Sequence, residues 1–312
     1  MTIEYISLSG GGIRGLMYLG AFSALEKHYN LMKKLDGIKG IAGTSVGALA
    51  GLGLLLGLSS ADIKDVLFPI VSSIRNIAPT LDISLFISNY GLDDGDNLRN
   101  AIKNVLKRGG LSDESTLKDL KRLIKKDFIC CTTNLNTRQC EYLTAETHEH
   151  LSVIDAVFMS MCVPFLFTPF EYKQNLYADG GLSSNLPECF PKDKTLFFTF
   201  DLKDRTNQIN SWNEYLESVI ACGIECQQIR TDLFIQNSEC CTLRMPETLR
   251  NNFTLNLNIH QSTVRQFILC GYYSALAFTH HNFMSTMEAV LEFVISTLIA
   301  VHENDECSGL NY

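Results

Sequence analysis

The chain has 312 residues, of which 46% are hydrophobic and 19% are charged. This composition predicts a globular protein with a sizeable core, and residues 1–312 are interpreted as one large α/β domain. The formal net charge of −8 excludes broad binding to a phosphate backbone, so nucleic acid is not expected as a partner.

The cysteines and the N-terminal sequence indicate the cellular compartment of the protein. The eleven cysteines are odd in number, and the pairs Cys130–Cys131 and Cys240–Cys241 are adjacent in sequence. Reduced thiols in a cytosol-like compartment are therefore expected. No charged segment followed by an apolar segment opens the chain. The sequence predicts a cytoplasmic protein that can contact membranes peripherally.

The first part of the chain predicts two strand and helix pairs. Residues 3–8 form a strand, followed by a glycine turn and a helix to about His28. Residues 38–42 form the second strand, and a second glycine turn leads into a helix to Leu56. Parallel strands joined by a right-handed crossover place both glycine turns at the carboxyl edge of the sheet, where open α/β folds bind ligands.

The remaining sequence predicts further elements of the same domain. Helices are predicted over residues 60–74, interrupted at Pro69, over 97–107, capped by Asp94, over 116–126, 152–161 and 212–231, and from Val264 into the terminus. Residues 128–133 and 139–143 form a hairpin, and further strands cover 195–200, 241–244 and 253–257. Residues 202–312 are assigned to this domain because no repeat or linker marks a boundary.

One apolar run, residues 41–58, has the length of a membrane span. Its glycines and its Ser45 favour a buried strand, a sharp turn and a core helix instead. No transmembrane segment is therefore predicted.

Ser45 lies in Gly43-Thr44-Ser45-Val46-Gly47, which fits the Gly-x-Ser-x-Gly nucleophile elbow. In this device a strand turns sharply into a helix and exposes the serine hydroxyl. Because so short a pattern also arises by chance, its meaning depends on the rest of the chain.

Two alternatives compete for these motifs. Gly10 to Gly15 satisfy the dinucleotide pattern Gly-x-Gly-x-x-Gly, but Asp36 precedes the second strand, whereas a ribose-binding acid should follow it.

A Ser-His-Asp triad of the α/β-hydrolase type would join Ser45 and Asp179 to a late histidine. The candidates are His260, His280 and His281. Against the triad, the elbow follows only the second strand, which is too early for that fold. A nucleotide- or lipid-binding module without catalysis is a further alternative.

Another interpretation, a two-residue site, rests on motifs that resemble those of the patatin-like phospholipases. Residues 6–15 end in Ser-Gly-Gly-Gly-Ile-Arg-Gly, residues 43–47 form the elbow, and residues 179–181 are Asp-Gly-Gly. Their order and spacing are similar to those of the three blocks of that family. Residues 159–169 and 185–187 are similar to segments that bracket the aspartate. The resemblance covers about residues 3–201.

The resemblance implies a lipid acyl hydrolase of the phospholipase A or lysophospholipase type with a three-layer α/β/α fold and a mostly parallel sheet. Ser45 would be the nucleophile that forms an acyl-enzyme, and Asp179 would be the base. The backbone N–H groups of Gly11, Gly12 and Ile13 would form the oxyanion hole.

The family pattern also assigns the remaining motif residues. Arg14 is also counted among the oxyanion-hole residues, and its side chain would orient the glycine loop or attract a lipid phosphate. The motif glycines would permit the turns: Gly10, Gly15, Gly43, Gly47, Gly180 and Gly181. No metal or other cofactor is implied, and the expected partner is a lipid substrate at a membrane or micelle surface. Met159 and Cys162 replace small alanines usual in the family, which predicts different packing around the acyl pocket.

Overall fold

The computed structural model describes residues 3–74, 89–201, 212–246 and 260–279, together with Ile209 and Leu249. The strands are β1 (Tyr5–Leu8), β2 (Gly40–Thr44), β3 (Gly91–Asp93), β4 (Asp127–Asn134), β5 (Gln139–Leu143), β6 (Phe165–Phe167), β7 (Phe170–Tyr172), β8 (Asn175–Asp179), β9 (Thr195–Phe200) and β10 (Cys240–Leu243). The helices are α1 (Leu16–Tyr29), α2 (Leu31–Leu35), α3 (Val46–Leu55), α4 (Ser60–Ile74), α5 (Asp96–Arg108), α6 (Leu117–Ile124), α7 (Val153–Met161), α8 (Trp212–Ile235) and α9 (Gln261–Thr279).

The main sheet has eight strands, seven of them in the order β10-β9-β1-β2-β4-β8-β7, with β5 paired to β4. The five strands from β10 to β4 are parallel, whereas β5, β8 and β7 pair antiparallel. β3 and β6 form a separate parallel pair. The prediction of an α/β fold with a mostly parallel central sheet is confirmed.

The central strands are buried along their length. Every residue of β2 and β9 is buried, as are the last three residues of β1. Such strands are mostly apolar because helices cover both faces of a parallel sheet. The ten residues of α3 are also buried. The apolar run from residue 41 is therefore strand, turn and core helix, and no helix in the described ranges is long and apolar enough to cross a bilayer.

Helix α9 packs against α1 at two glycines. A Cβ atom on Gly20 would lie 1.8 Å from the Ile268 carbonyl oxygen, and one on Gly271 would lie 1.9 Å from the Met17 carbonyl oxygen. The two backbones approach this closely because neither position carries a side chain. β10 is a strand of the main sheet, and α9 packs on α1. These two C-terminal elements therefore pack together with the N-terminal part of the chain. That all of residues 202–312 belong to one domain stays a prediction.

Two predictions about helices were wrong. Pro69 does not interrupt α4, which is continuous over Ser60–Ile74. Burial of Ile63, Val66 and Leu67 stabilises the helix against the loss of one backbone hydrogen bond. Asp94 is not the N-cap of α5.

The N-cap of α5 is Gly95, with φ of 83°, and the helix begins at Asp96. Asp94 lies one residue too early for the capping position. Its Oδ1 accepts a hydrogen bond of 3.1 Å from the Asp96 N–H, and it still satisfies one donor of the first turn. The predicted strand over 253–257 and the end of the terminal helix lie outside the described residues.

Candidate active site

Ser45 occupies the turn between β2 and α3 in a strained conformation. Its φ is 54° and its ψ is −128°, a combination that is rare for any residue with a side chain. The flanking glycines make this turn possible. A Cβ on Gly43 would lie 2.4 Å from the backbone of Gly47 and Ala48, and one on Gly47 would lie 2.5 Å from the Leu8 carbonyl oxygen. The Gly-x-Ser-x-Gly sequence thus forms a strand-to-helix turn with the geometry of a nucleophile elbow.

Ser160, near the end of α7, holds the elbow from behind. The Ser45 N–H donates a 2.9 Å hydrogen bond to Ser160 Oγ. Ser160 Oγ donates in turn to the Cys131 carbonyl oxygen at 2.6 Å. The three groups are buried, so each hydrogen bond fixes a polar group that has no access to solvent.

Strand β4 brings Asp179 to Ser45. Thr44 at the end of β2 lies opposite Cys131 in β4, and the next residue, Thr132, lies opposite Asp179 at the end of β8. Residues more than 130 positions apart in sequence therefore meet at the same edge of the sheet. The antiparallel pairing of β8 makes this possible, since its last residue faces the middle of β4.

The Asp179 side chain is buried, with 6% of its surface exposed. Burial raises the pKa of its carboxyl group to about 6, while the Ser45 hydroxyl and the Gly181 N–H oppose the rise. Oδ1 accepts a 2.7 Å hydrogen bond from the Gly181 N–H, whereas Oδ2 has no full hydrogen-bond partner among the described residues. The contact with Ser45 is thus looser than a full hydrogen bond, as in enzymes whose catalytic hydrogen bonds tighten when substrate binds.

The glycine loop after β1 lies directly against the elbow. Gly10 N–H donates to the Asn185 carbonyl oxygen at 2.9 Å, and Asn185 Nδ2 donates to the Gly10 carbonyl oxygen at 3.2 Å. A Cβ on Gly10 would lie 3.2 Å from Ser45 Cβ. Asn185 follows the Asp179 turn, and it therefore ties the glycine loop to the segment that carries the carboxylate.

Three backbone N–H groups of this loop precede the first hydrogen bond within its turn. The first hydrogen bond of the 3-10 turn over Gly12–Gly15 runs from Arg14 N–H to the Gly11 carbonyl oxygen, at 3.1 Å. The N–H groups of Gly11, Gly12 and Ile13 precede it, so the turn leaves them without an internal acceptor. The Arg14 N–H already donates within the turn, so the three preceding N–H groups are the candidates for an oxyanion hole.

The Arg14 side chain is 3% exposed. Its Nε and Nη2 atoms are buried and, among the residues that the structure describes, have no hydrogen-bond acceptor. A guanidinium group with free donors favours an anionic partner.

The other motif glycines are also explained by close approaches. A Cβ on Gly15 would lie 2.2 Å from Val46 Cγ2, and one on Gly180 would lie 2.2 Å from the Cys131 carbonyl oxygen. A Cβ on Gly181 would lie 3.0 Å from Asp179 Oδ1. The glycines therefore let the loop, the elbow and the aspartate turn pack against one another.

The remaining candidates lie elsewhere or outside the described residues. Asp36 is exposed and precedes β2, at the end of that strand far from the elbow. His260 is exposed and contacts Ser262 through Nδ1 at 2.7 Å. His280 and His281 lie outside the described residues.

Sequence reasoning missed the roles of Ser160 and Asn185. Both lie in segments that the family resemblance already marked, but each makes its contact with a residue more than 100 positions away. Ser160 is a polar residue inside an otherwise apolar run. Because buried polar groups need hydrogen-bond partners, this pattern was a signal that Ser160 makes a specific contact.

The model of the patatin-like phospholipase family matches residues 6–188, and the chain belongs to this family. An uncharacterized protein of Acanthamoeba polyphaga mimivirus, R571, is 27% identical over 230 residues, 70% of this chain and 74% of that protein. The cGAMP-activated phospholipase of Vibrio cholerae is 28% identical over 207 residues, 59% of this chain and 55% of that enzyme. The chain therefore spans about half the length of that phospholipase.

Among solved structures, VipD from Legionella pneumophila has a similar fold. The TM-score is 0.57 at 17% identity, over 89% of this chain and 67% of VipD. This likeness supports the α/β architecture of the chain.

Proposed function

We propose that this protein is a lipid acyl hydrolase of the phospholipase A or lysophospholipase type that uses Ser45 as nucleophile and Asp179 as base. The observation that supports this most strongly is the strained Ser45 elbow beside the buried Asp179 carboxyl group. Membership of the patatin-like phospholipase family supports lipid hydrolysis, and the Vibrio cholerae relative is itself named a phospholipase.

In the first half of the reaction, Ser45 Oγ attacks the carbonyl carbon of an acyl ester while its proton passes to Asp179. The N–H groups of Gly11, Gly12 and Ile13 hold the oxyanion. Each such donor is worth about 3 to 4 kcal/mol where oxyanion holes have been dissected. The tetrahedral intermediate then expels the alcohol, which takes the proton from Asp179 and leaves the acyl group on Ser45.

In the second half, water attacks the acyl-enzyme and gives its proton to Asp179. The second tetrahedral intermediate expels Ser45 Oγ, which recovers that proton, and the fatty acid leaves. A pKa of about 6 for Asp179 suits both halves, because the group is ionised near neutral pH and still holds a proton in the intermediates.

The substrate is proposed to be a lipid at a membrane or micelle surface, reached by peripheral contact. Arg14 would bind the lipid phosphate, since its buried Nε and Nη2 donors lack acceptors in the described part of the chain. A Ser-His-Asp triad stays the alternative mechanism through His280 or His281, and binding without catalysis stays the alternative function.

The test is hydrolysis of a lipid panel read by mass spectrometry, with phospholipids, lysophospholipids and neutral lipids as substrates. Wild type should release fatty acid, and Ser45→Ala and Asp179→Asn should lose at least about 10³-fold in kcat. Ser112→Ala and Asp193→Asn change the same residue types at exposed positions and should be fully active. Full activity of Ser45→Ala would refute the proposed nucleophile.

A further inference from the structure

Two cysteine thiols lie in contact beside the candidate active site. Cys131 Sγ in β4 and Cys140 Sγ in β5 are 3.3 Å apart. Cys131 lies opposite Tyr142 and Cys140 opposite Thr133, so the two cysteines are diagonal neighbours on one face of the hairpin. Among the nine cysteines whose side chains the structure describes, all of them free thiols, the sulfur atoms of this pair are in contact.

The two thiols differ in environment. Cys131 is fully buried, and the contact with Cys140 together with burial holds its pKa well above the usual range. Cys140 is partly exposed. The contact with Cys131 lowers the pKa of Cys140 to about 7, and the side chains of Tyr142, Ser183 and Ser184 add to this lowering. At neutral pH Cys140 is thus partly a thiolate that solvent can reach, with a protonated thiol next to it.

We infer that Cys131 and Cys140 form a reversible disulfide under hydroperoxides and that this disulfide disables the proposed hydrolase site. The Cys140 thiolate attacks a peroxide oxygen, which breaks the O–O bond, gives a sulfenic acid and releases hydroxide. Cys131 then gives its proton to that hydroxide, and its sulfur displaces the sulfenic hydroxyl group as a second hydroxide, which takes up the proton that Cys140 had released. Two thiols and one hydrogen peroxide thus yield one disulfide and two waters.

The pair is coupled to the elbow through the backbone of Cys131. Its carbonyl oxygen accepts the hydrogen bond from Ser160, whose hydroxyl holds the Ser45 N–H. The same carbonyl oxygen would lie 2.2 Å from a Cβ on Gly180, so the aspartate turn is packed against it. Disulfide formation must shorten the 3.3 Å sulfur separation to about 2.05 Å, and this pulls on the peptide that supports both site residues.

A second route runs through the segment after Asp179. Cys131 Sγ lies 3.4 Å from the Ser184 carbonyl oxygen, and Thr44 Oγ1 donates to that oxygen at 3.0 Å. The single Cys131 proton is shared between this oxygen and Cys140 Sγ, and disulfide formation removes it. Ser184 precedes Asn185, which holds the glycine loop at Gly10. Oxidation therefore disturbs the link between the aspartate turn and the loop.

Peptide mapping tests the disulfide itself and needs no lipid substrate. The protein is treated with hydrogen peroxide, free thiols are blocked with N-ethylmaleimide, and peptides are identified by mass spectrometry. We expect a Cys131–Cys140 cross-link that dithiothreitol reverses. The exposed Cys222 provides the control, because Cys222→Ser should form the same cross-link.

In Cys131→Ser, the Cys140 sulfenic acid should persist and be trapped by dimedone. Unreacted Cys140, direct oxidation to sulfinic acid in the wild type, or a cross-link to another cysteine would overturn the inference.

The consequence for the site is tested by hydrolysis and by hydrogen exchange, because this part of the inference rests on the proposed function. Hydrolysis of a short-chain ester should fall by about tenfold or more on cross-linking and recover with dithiothreitol, whereas Cys140→Ser should stay active in peroxide. The Ser45 amide should exchange faster after oxidation. Unchanged exchange in the cross-linked protein would overturn the coupling, and an inactive reduced protein would contradict the proposed function alone.

Discussion

The backbone N–H of Ser45 donates a 2.9 Å hydrogen bond to the hydroxyl of Ser160. This contact satisfies the amide of a residue whose φ of 54° is costly for a side chain. Ser160 is itself anchored on the Cys131 carbonyl oxygen. The geometry of the elbow thus depends on α7 and β4 as well as on its own glycines.

Ser160→Ala should therefore lower kcat by about tenfold to a hundredfold. The substitution leaves the Ser45 N–H buried without its partner, at a cost of about 1 to 3 kcal/mol, and removes one donor to the Cys131 carbonyl oxygen. Steady-state kinetics on a soluble ester and urea unfolding measure the two effects.

Ser152→Ala is the matched control in the same helix. Ser152 caps α7 by accepting from the Asp155 N–H at 3.0 Å, so its loss costs about 1 kcal/mol of stability and should leave kcat unchanged. If both variants lower kcat equally, the effect of Ser160 comes from the stability of the helix alone.

Gly10→Ala should lower kcat/KM by about a hundredfold. The added Cβ would lie 2.6 Å from Asn185 Oδ1 and 3.2 Å from Ser45 Cβ, so the loop must move away from the elbow. Misplacement by about 1 Å is enough for such a loss. Gly37→Ala, whose Cβ would make only an ordinary 3.6 Å contact, should retain wild-type kinetics. Normal activity of Gly10→Ala would exclude the glycine loop from the site.

Activity should fall as the pH drops through about 6, because the Asp179 carboxyl group has a pKa of about 6 and a base must be ionised. The effect on stability has the opposite sign. The folded protein holds this proton at a higher pH than the unfolded chain does, so this group stabilises the fold as the pH falls from above 6 toward 3.8.

Asp179→Asn should therefore unfold at a higher urea concentration than the wild type at pH 8. Removing the buried carboxylate should raise the free energy of unfolding at pH 8 by on the order of 3 kcal/mol. The difference in this free energy between the variant and the wild type should shrink toward pH 4. A difference that stays constant between pH 8 and pH 4 would show that the Asp179 pKa is not raised.

Gly20→Ala and Gly271→Ala should destabilise the protein by about 3 kcal/mol or more. Each new Cβ would lie within 2 Å of a carbonyl oxygen on the partner helix, and neither backbone can move without separating α1 from α9. Gly223→Ala in α8 meets nothing within 4 Å and should stabilise that helix by up to about 1 kcal/mol. Thermal unfolding compares the three variants, and equal melting temperatures would contradict the close helix contact.

The N-terminal half of the fold could be predicted because its signals are local. The two strand and helix pairs, each with a glycine turn after its strand, predicted a parallel pair of strands with both turns at one edge, as observed. The three-residue strands β3, β6 and β7 are too short for a periodic pattern, and pairing with distant partners defines them. Tertiary packing likewise decided that α4 continues through Pro69.

In the candidate site, too, some features could be predicted from local motifs and others could not. Ser45 and Asp179 were predicted from glycine-flanked motifs, whereas the contacts of Ser160, Asn185 and the Cys131–Cys140 pair arise only when strands come together. The proximity of Ser45 to Asp179 depends on the register of β4 with both β2 and β8. No pattern within a single segment encodes that register.

Covalent labelling by a phosphonate ester probe, mapped by mass spectrometry, tests the central claim most directly. The reagent should modify Ser45 in the wild type, at least about a hundredfold more slowly in Asp179→Asn, and at the wild-type rate in His260→Ala, His280→Ala and His281→Ala. Modification of another serine would contradict the assignment of the nucleophile. Normal labelling of Asp179→Asn, with loss in a histidine variant, would contradict a Ser45–Asp179 dyad.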